Sequence, residues 1–172
     1  MVKSKILVLD TSAILSGKPL NFENERIITT EHISNELKPG GRDYQNLQFL
    51  KEKGLIFQLP SKNSIEYIIK KADEIGDKER LSSVDIEILS LAYELSEKDG
   101  SEVVILTDDY SIQNTANHLG LKYKSISQKG ITKKFKWVCR CRGCGKKFKD
   151  NISICPICGA DTKKVVIREK DI

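Results

Sequence analysis

Two sets of side chains in this sequence have the types and spacing to do chemistry. Cys141-Arg142-Gly143-Cys144-Gly145 and Cys155-Pro156-Ile157-Cys158-Gly159 are C-x-x-C-G turns ten residues apart. Two thiolates at that spacing grip one ion from one tight turn, and the glycine afterwards lets the turn close. Two such turns supply four thiolates, a closed tetrahedral set suited to structural zinc; the same set also suits iron. Disulfide pairing is the weaker reading in a chain whose opening lacks the pattern of a secretion signal. Cys139 breaks the spacing and is expected outside the ligand set, as a small strand residue.

The second set is acidic. Asp10 directly follows the apolar run Lys5-Ile6-Leu7-Val8-Leu9, and Thr107-Asp108-Asp109 directly follows Val103-Val104-Ile105-Leu106. In a parallel sheet both positions fall at the C-terminal edge, where α/β folds place ligands. Asp85 stands at a helix start and Glu36 near a helix end before Pro39. Carboxylates without His or Cys suit Mg²⁺ or Mn²⁺, hard ions that take oxygen ligands, activate water and clamp a phosphodiester for in-line attack. Each acid also has an ordinary use. Asp10 can cap the next turn, Asp85 can close a capping box, Glu36 can be a solvated helix residue, and Asp108-Asp109 can be a turn. His32 and His118 are the two histidines, and without a Ser-His-Asp order nucleophilic catalysis is unsupported. G-x-x-x-x-G-K-[ST] and G-x-G-x-x-G are absent, so nucleotide binding lacks its loops.

Alternating elements must position these residues. Lys5–Leu9, Arg26–Thr29, Leu55–Leu59, Val103–Leu106 and Leu121–Ser125 read as short strands. Helices are expected from Ala13, over Glu31–Leu37 with Thr30 as a cap, and around Tyr44, Leu47 and Leu50. Further helices carry Ile65, Ile68, Ile69 and Ala72, and then Ile112–His118. Ile75–Arg80 reads as a polar, flexible loop. Ser82 opens the strongest helix, with Asp85 at the third position of a capping box and Ile88, Leu91, Ala92 and Leu95 as its buried stripe. Strands separated by helices indicate an α/β fold with a mostly parallel sheet flanked by helices.

Composition divides the chain. Of 172 residues, 39% are hydrophobic and 31% charged, which permits a packed core. No apolar run reaches membrane-span length, and the reading is cytoplasmic. Residues 1–127 hold 16 Lys+Arg against 20 Asp+Glu, while residues 128–172 hold 13 against 4 and all five cysteines. The expected organisation is an acidic α/β domain over 1–127, a basic linker over 128–136 and a small metal module over 137–172. Trp137–Arg140 and Lys163–Arg168 are the strands of that module. Lys133, Lys134, Lys136, Arg140, Arg142, Lys146, Lys147 and Lys149 are interleaved with Phe135, Trp137 and Phe148. Cations beside exposable aromatics suit a phosphate backbone and unstacked bases. The plainer alternative is a solvated basic face with the aromatics packed on the cysteine turns.

Val8-Leu9-Asp10-Thr11-Ser12-Ala13 resembles the opening strand and first acid of the PIN-domain ribonucleases. Glu36, Asp85 in Leu-Ser-Ser-Val-Asp, and Thr107-Asp108-Asp109 match that family's later acidic positions in order. With a C-terminal zinc ribbon added, the whole chain is similar to the archaeal Nin-one-binding (Nob) endonuclease family. The resemblance implies a divalent-metal-dependent endoribonuclease that trims the 3′ end of precursor small-subunit (16S) ribosomal RNA late in ribosome assembly, within the pre-ribosomal subunit and alongside other assembly factors. It implies that Asp10, Asp85 and Asp108 hold Mg²⁺ or Mn²⁺, that Glu36 assists, and that Thr11, Ser12 and Thr107 position the acids. Of the adjacent pair, Asp108 is favoured over Asp109, because neighbouring strand-end side chains face opposite ways. Cys141, Cys144, Cys155 and Cys158 hold zinc in this reading, and hydrolysis leaves a 5′-phosphate and a 3′-hydroxyl. A toxin-type PIN ribonuclease on tRNA or mRNA is the first rival, against which the ribbon argues because such domains generally stand alone. A catalytically silent RNA-binding assembly factor is the second, and a zinc-ribbon transcription factor a weaker third.

Overall fold

In the computed structural model, which describes residues 5–16, 22, 24–98, 100–126 and 133–171, Lys5–Leu9 forms β1. It is the central strand of a five-stranded sheet in the order β3-β2-β1-β4-β5. Its neighbours are β2 (Glu25–Thr29) and β4 (Glu102–Leu106); β3 (Ile56–Phe57) and β5 (Lys122–Lys124) form the edges. Every pairing is parallel. The unbroken apolar sequence of β1 follows from its place, since a central parallel strand is covered on both faces. Ile6 and Val8 enter one core, and Leu7 and Leu9 the other. The first core is closed by α3 (Lys62–Ile75), α4 (Ser83–Lys98) and α5 (Tyr110–His118). The second is closed by α1 (Thr11–Leu15), a 3₁₀ turn over Glu31–Glu36 and α2 (Arg42–Glu52).

The chain runs outward from β1 through β2 to β3, then returns to place β4 on the other side of β1. The order therefore reverses between β1 and β4, and a crevice opens there beyond the strand ends.

Three local expectations change. Glu31–Leu37 is a 3₁₀ turn rather than an α-helix, and Thr30 makes no capping bond, because its hydroxyl donates to Glu87 of α4. Leu55–Leu59 supplies only two ladder residues, Ile56 and Phe57, since β3 is an edge strand with the single neighbour β2. The polar Ile75–Arg80 stretch is anchored: Asp77 is buried and accepts from Asn114 Nδ2 at 2.6 Å and Thr115 Oγ1 at 3.3 Å. Burial raises the Asp77 carboxyl above its ordinary range, against those hydrogen bonds.

The cysteine-bearing segment folds as a second, antiparallel sheet in the order β7-β6-β8, the form of a small zinc ribbon. Its strands are β6 (Lys133–Cys141), β7 (Lys147–Phe148) and β8 (Thr162–Asp171). The expected linker over 128–136 lies outside the described residues as far as 132. This module touches the body at the α3–α4 connection. Glu79 takes an ion pair from Lys164 at 2.5 Å and a hydrogen bond from Asn151 Nδ2 at 2.5 Å. Among the described residues, no helix is long and apolar enough to cross a membrane.

Candidate active site

Asp10 terminates β1 with extended backbone, and its carboxylate accepts from the Ser12 N–H at 3.4 Å as the N-cap of α1. The ordinary capping role is real, and the same oxygen has further donors. Ser12 Oγ and Thr107 Oγ1 both approach Asp10 Oδ2 at 2.8 Å. Asp10 is buried, and burial raises its carboxyl above the ordinary range despite these donors. Ser12 Oγ also accepts the Asp108 N–H at 2.9 Å, which ties the ends of β1 and β4 together at the reversal of strand order.

Asp85 arrives from α4. The Ser82 N–H donates to Asp85 Oδ2 at 2.7 Å and the Asp85 N–H donates to Ser82 Oγ at 3.1 Å, a reciprocal capping box. The box fixes the carboxylate at the mouth of the crevice. Its carboxyl is pushed up to about 6, first by burial and further by the negative charges of Asp10 and Asp109; the Ser82 hydrogen bonds oppose this. Glu36, at the end of the 3₁₀ turn, is exposed and accepts from the Thr11 hydroxyl. Asp10, Thr11, Ser12, Leu15, Glu36, Asp85, Asp108 and Asp109 line one cleft of about 330 Å³.

The adjacent aspartates both line the cleft and each holds a further structural post. Asp108 Oδ1 accepts from Ser125 Oγ at 2.6 Å and the Ile126 N–H at 2.7 Å, which holds the segment after β5. Asp109 caps α5 through Oδ1, at 2.6 Å from the Ser111 N–H, and its negative charge acts on Asp85. Strand alternation does not apply here, because β4 ends at Leu106 and residue 109 is a helix cap with its own backbone geometry.

The acidic cleft offers oxygen donors alone and concentrates negative charge that burial makes costly, a donor set matched to a hard divalent cation. Among the described residues the lining includes no Lys, Arg or His, and the carboxyls of Asp10 and Asp85 are both raised. His32 lies elsewhere, with Nδ1 at 2.7 Å from Glu87 Oε1.

Cys141, Cys144, Cys155 and Cys158 bring their sulfurs within 4.8 Å of one another, the one such group of three or more candidate ligands among the described residues. Cys141 and Cys158 are 3.3 Å apart, and Cys144 and Cys155 are 3.7 Å apart. A tetrahedron with Zn–S bonds of about 2.3 Å has edges of roughly 3.8 Å, so the set fits that ion. The Gly143 and Cys144 N–H groups reach Cys141 Sγ at 3.3 and 3.4 Å, and the Ile157 N–H reaches Cys155 Sγ at 3.4 Å. Such donors stabilise thiolates. Cys139 is buried outside the set, its sulfur 3.8 Å from Asn151 Oδ1.

Of the basic residues expected at a nucleic-acid face, Arg140, Arg142, Lys146, Lys147 and Lys149 are exposed and Lys136 is half-buried; the side chains of Lys133 and Lys134 lie outside what the structure describes. Trp137 is half-buried against the body, with the Arg80 guanidinium 4.1 Å over its ring.

Residues 7–95 match the family model of a PIN domain of ribonuclease. A protein named Endoribonuclease Nob1 from Archaeoglobus fulgidus is 35% identical over 91% of this chain and 89% of its own length. One of the same name from Pyrococcus abyssi is 36% identical over 95% of this chain and 96% of its own. A protein named Ribonuclease VapC1 from Thermoplasma acidophilum is 32% identical over 97% of this chain and 81% of its own length. That last alignment runs through the cysteine module, so the module does not by itself separate the two names.

Proposed function

The chain belongs to the PIN-domain ribonucleases and to the Nob1 endoribonuclease family within them, and from that premise we propose that it cleaves precursor small-subunit ribosomal RNA at its 3′ end. The observation that carries the chemistry is the convergence of Asp10, Glu36, Asp85, Asp108 and Asp109 on one cleft at the reversal of strand order. In this reading Asp10 and Asp85 hold Mg²⁺ or Mn²⁺, Asp109 completes the set, and Glu36 assists. A bound divalent ion supplies Lewis acidity and an activated water for in-line attack on the phosphodiester. Thr107 and Ser12 hold Asp10 by donating to it, and the Ser82 capping box holds Asp85. Asp108 supports the cleft from the side by securing residues 125 and 126.

Zinc at the four thiolates is structural in this proposal, since the closed set leaves no position for substrate. The exposed cations of the module meet the phosphate backbone of RNA within the pre-ribosomal subunit, in the cytoplasm. The repulsion between an acidic cleft and phosphate is relieved when the divalent ion is bound.

The test is cleavage of an RNA spanning the 3′ end of the small-subunit ribosomal RNA, with and without Mn²⁺, by wild type and Asp10→Asn. One ion-dependent cut at the mature end, absent in the variant, is the expected result. Scattered cuts, also lost in the variant, favour the second reading, a ribonuclease with other RNA targets. The breadth of the match to the VapC1-named relative gives that reading its support. If no cut appears on free RNA or on precursor subunits, the protein is a silent binder.

A further inference from the structure

The seam between body and cysteine module contains a pocket that neither the acidic cleft nor the thiolate set uses. Its volume is about 370 Å³, and Arg80, Tyr110, Trp137 and Val166 form its mainly apolar walls. Asp77, Ser111 and Asn114 also line it, with Asn114 Nδ2 donating to Asp77 at 2.6 Å. Trp137 and Val166 are register partners across β6 and β8, so one flat patch of the module closes the pocket from one side. Tyr110 of α5 and Arg80 close it from the other.

Three features select the occupant. The first is planarity: the guanidinium of Arg80 already lies 4.1 Å over the Trp137 ring, and Tyr110 is 50% exposed, so a flat group finds further flat surface to lie on. The second is position. Tyr110 follows Asp109 directly, so the pocket begins one peptide unit, about 3.8 Å between Cα atoms, from an acid of the cleft. The third is charge. The module that forms one wall exposes Arg140, Arg142, Lys146 and Lys147, which attract a polyanion rather than an apolar peptide or a second copy of this net-basic chain. A pocket of this size takes a single small planar group with its sugar, not a helix.

We infer that the seam pocket takes one unstacked base of the RNA strand held in the acidic cleft, laid against the Arg80–Trp137 pair and the Tyr110 ring. The inference rests on the nuclease reading above. The module then does more than attract phosphate. It supplies half of a base site, and that site sets the register of the strand relative to the cut.

Trp137, the single tryptophan of the chain, reports directly on the pocket. Asp85→Asn protein, which binds without cutting, is titrated with single-stranded RNA covering the cleavage site while tryptophan emission is followed. One abasic nucleotide is then walked through the positions flanking the cut. Expected is a saturable emission change that disappears for one abasic position near the cut and survives at the others. Tyr110→Ala in the same background is expected to weaken that RNA roughly 5- to 100-fold, and to make no further difference with the abasic RNA. An emission change equal for every abasic position overturns the inference, as does Tyr110→Ala binding at full strength. RNA that is bound, and cut by the wild type, with no change at Trp137 overturns the pocket and leaves the nuclease reading standing. RNA neither bound nor cut overturns both.

Discussion

At the scale of single residues, the acidic cleft is built from side chains that each hold a structural post as well. Asp10 caps α1, Asp85 closes a capping box and Asp109 caps α5. This double employment makes Asp→Asn variants informative, because asparagine caps about as well as aspartate while it lacks the charge. Asp109→Asn is expected to slow cleavage roughly 10²-fold or more with the melting temperature kept, since α5 retains its cap. Asp108→Asn is expected to keep the larger share of activity, and its effect to appear as loosening of residues 125–126 in amide exchange. Rate measurements on the two variants decide between the neighbours. The sequence made most of this cleft readable: an apolar run ending in Asp10 and a Ser-x-x-Asp start at Ser82 each follow from local rules. The roles within Asp108-Asp109 depend on where β4 stops and the helix cap begins, a boundary that alternation alone cannot locate.

At the scale of elements, buried polar contacts fix how the helices meet. Glu94 of α4 accepts from the Ser61 N–H at 2.8 Å and Ser64 Oγ at 3.1 Å, so one helix caps the start of another; Lys98 adds an ion pair at 2.5 Å. Lys98 first, then the Ser61 N–H, holds the Glu94 carboxyl down at about 2, below its usual 4.5. The depressed value means that the contact stabilises fully above pH 4.5 and is lost as pH falls through about 2. Glu94→Gln is expected to cost about 1 kcal/mol at pH 7, with the gap from wild type narrowing across that window in melting curves. Gly76, which ends α3 at φ 79°, meets the module more closely still: a Cβ there would lie 2.7 Å from Trp137 Cβ and 2.9 Å from its carbonyl oxygen. Gly76→Ala is expected to cost about 2 kcal/mol and to shift Trp137 emission toward that of an exposed indole. Periodicity in the sequence found the strands and the long helices. It read Ile75–Arg80 as loose, because the burial of Asp77 depends on Asn114 and Thr115, partners far along the chain that only folding brings near.

At the scale of the whole molecule, the two parts hold together by unlike means. The body closes two apolar clusters on its central sheet, while the module contributes Val138, Cys139, Cys141 and Cys155 to the buried set. So small a core needs its ion. Chelation is therefore expected to abolish amide protection across β6–β8 while protection in β1, β2 and β4 persists; simultaneous loss in both would refute separate stabilisation. The meeting of Gly76 and Trp137 left no local trace in the sequence. The central strand carries a different consequence, one of timing. Thr107 reaches Asp10 across 97 residues of sequence, and β1 pairs with β4 along its full length. A chain emerging at about 5–20 residues per second has synthesised Asp10 several seconds before the strand that completes its surroundings. The nascent chain thus lacks its complete acidic cleft until β4 and the residues after it have joined the sheet.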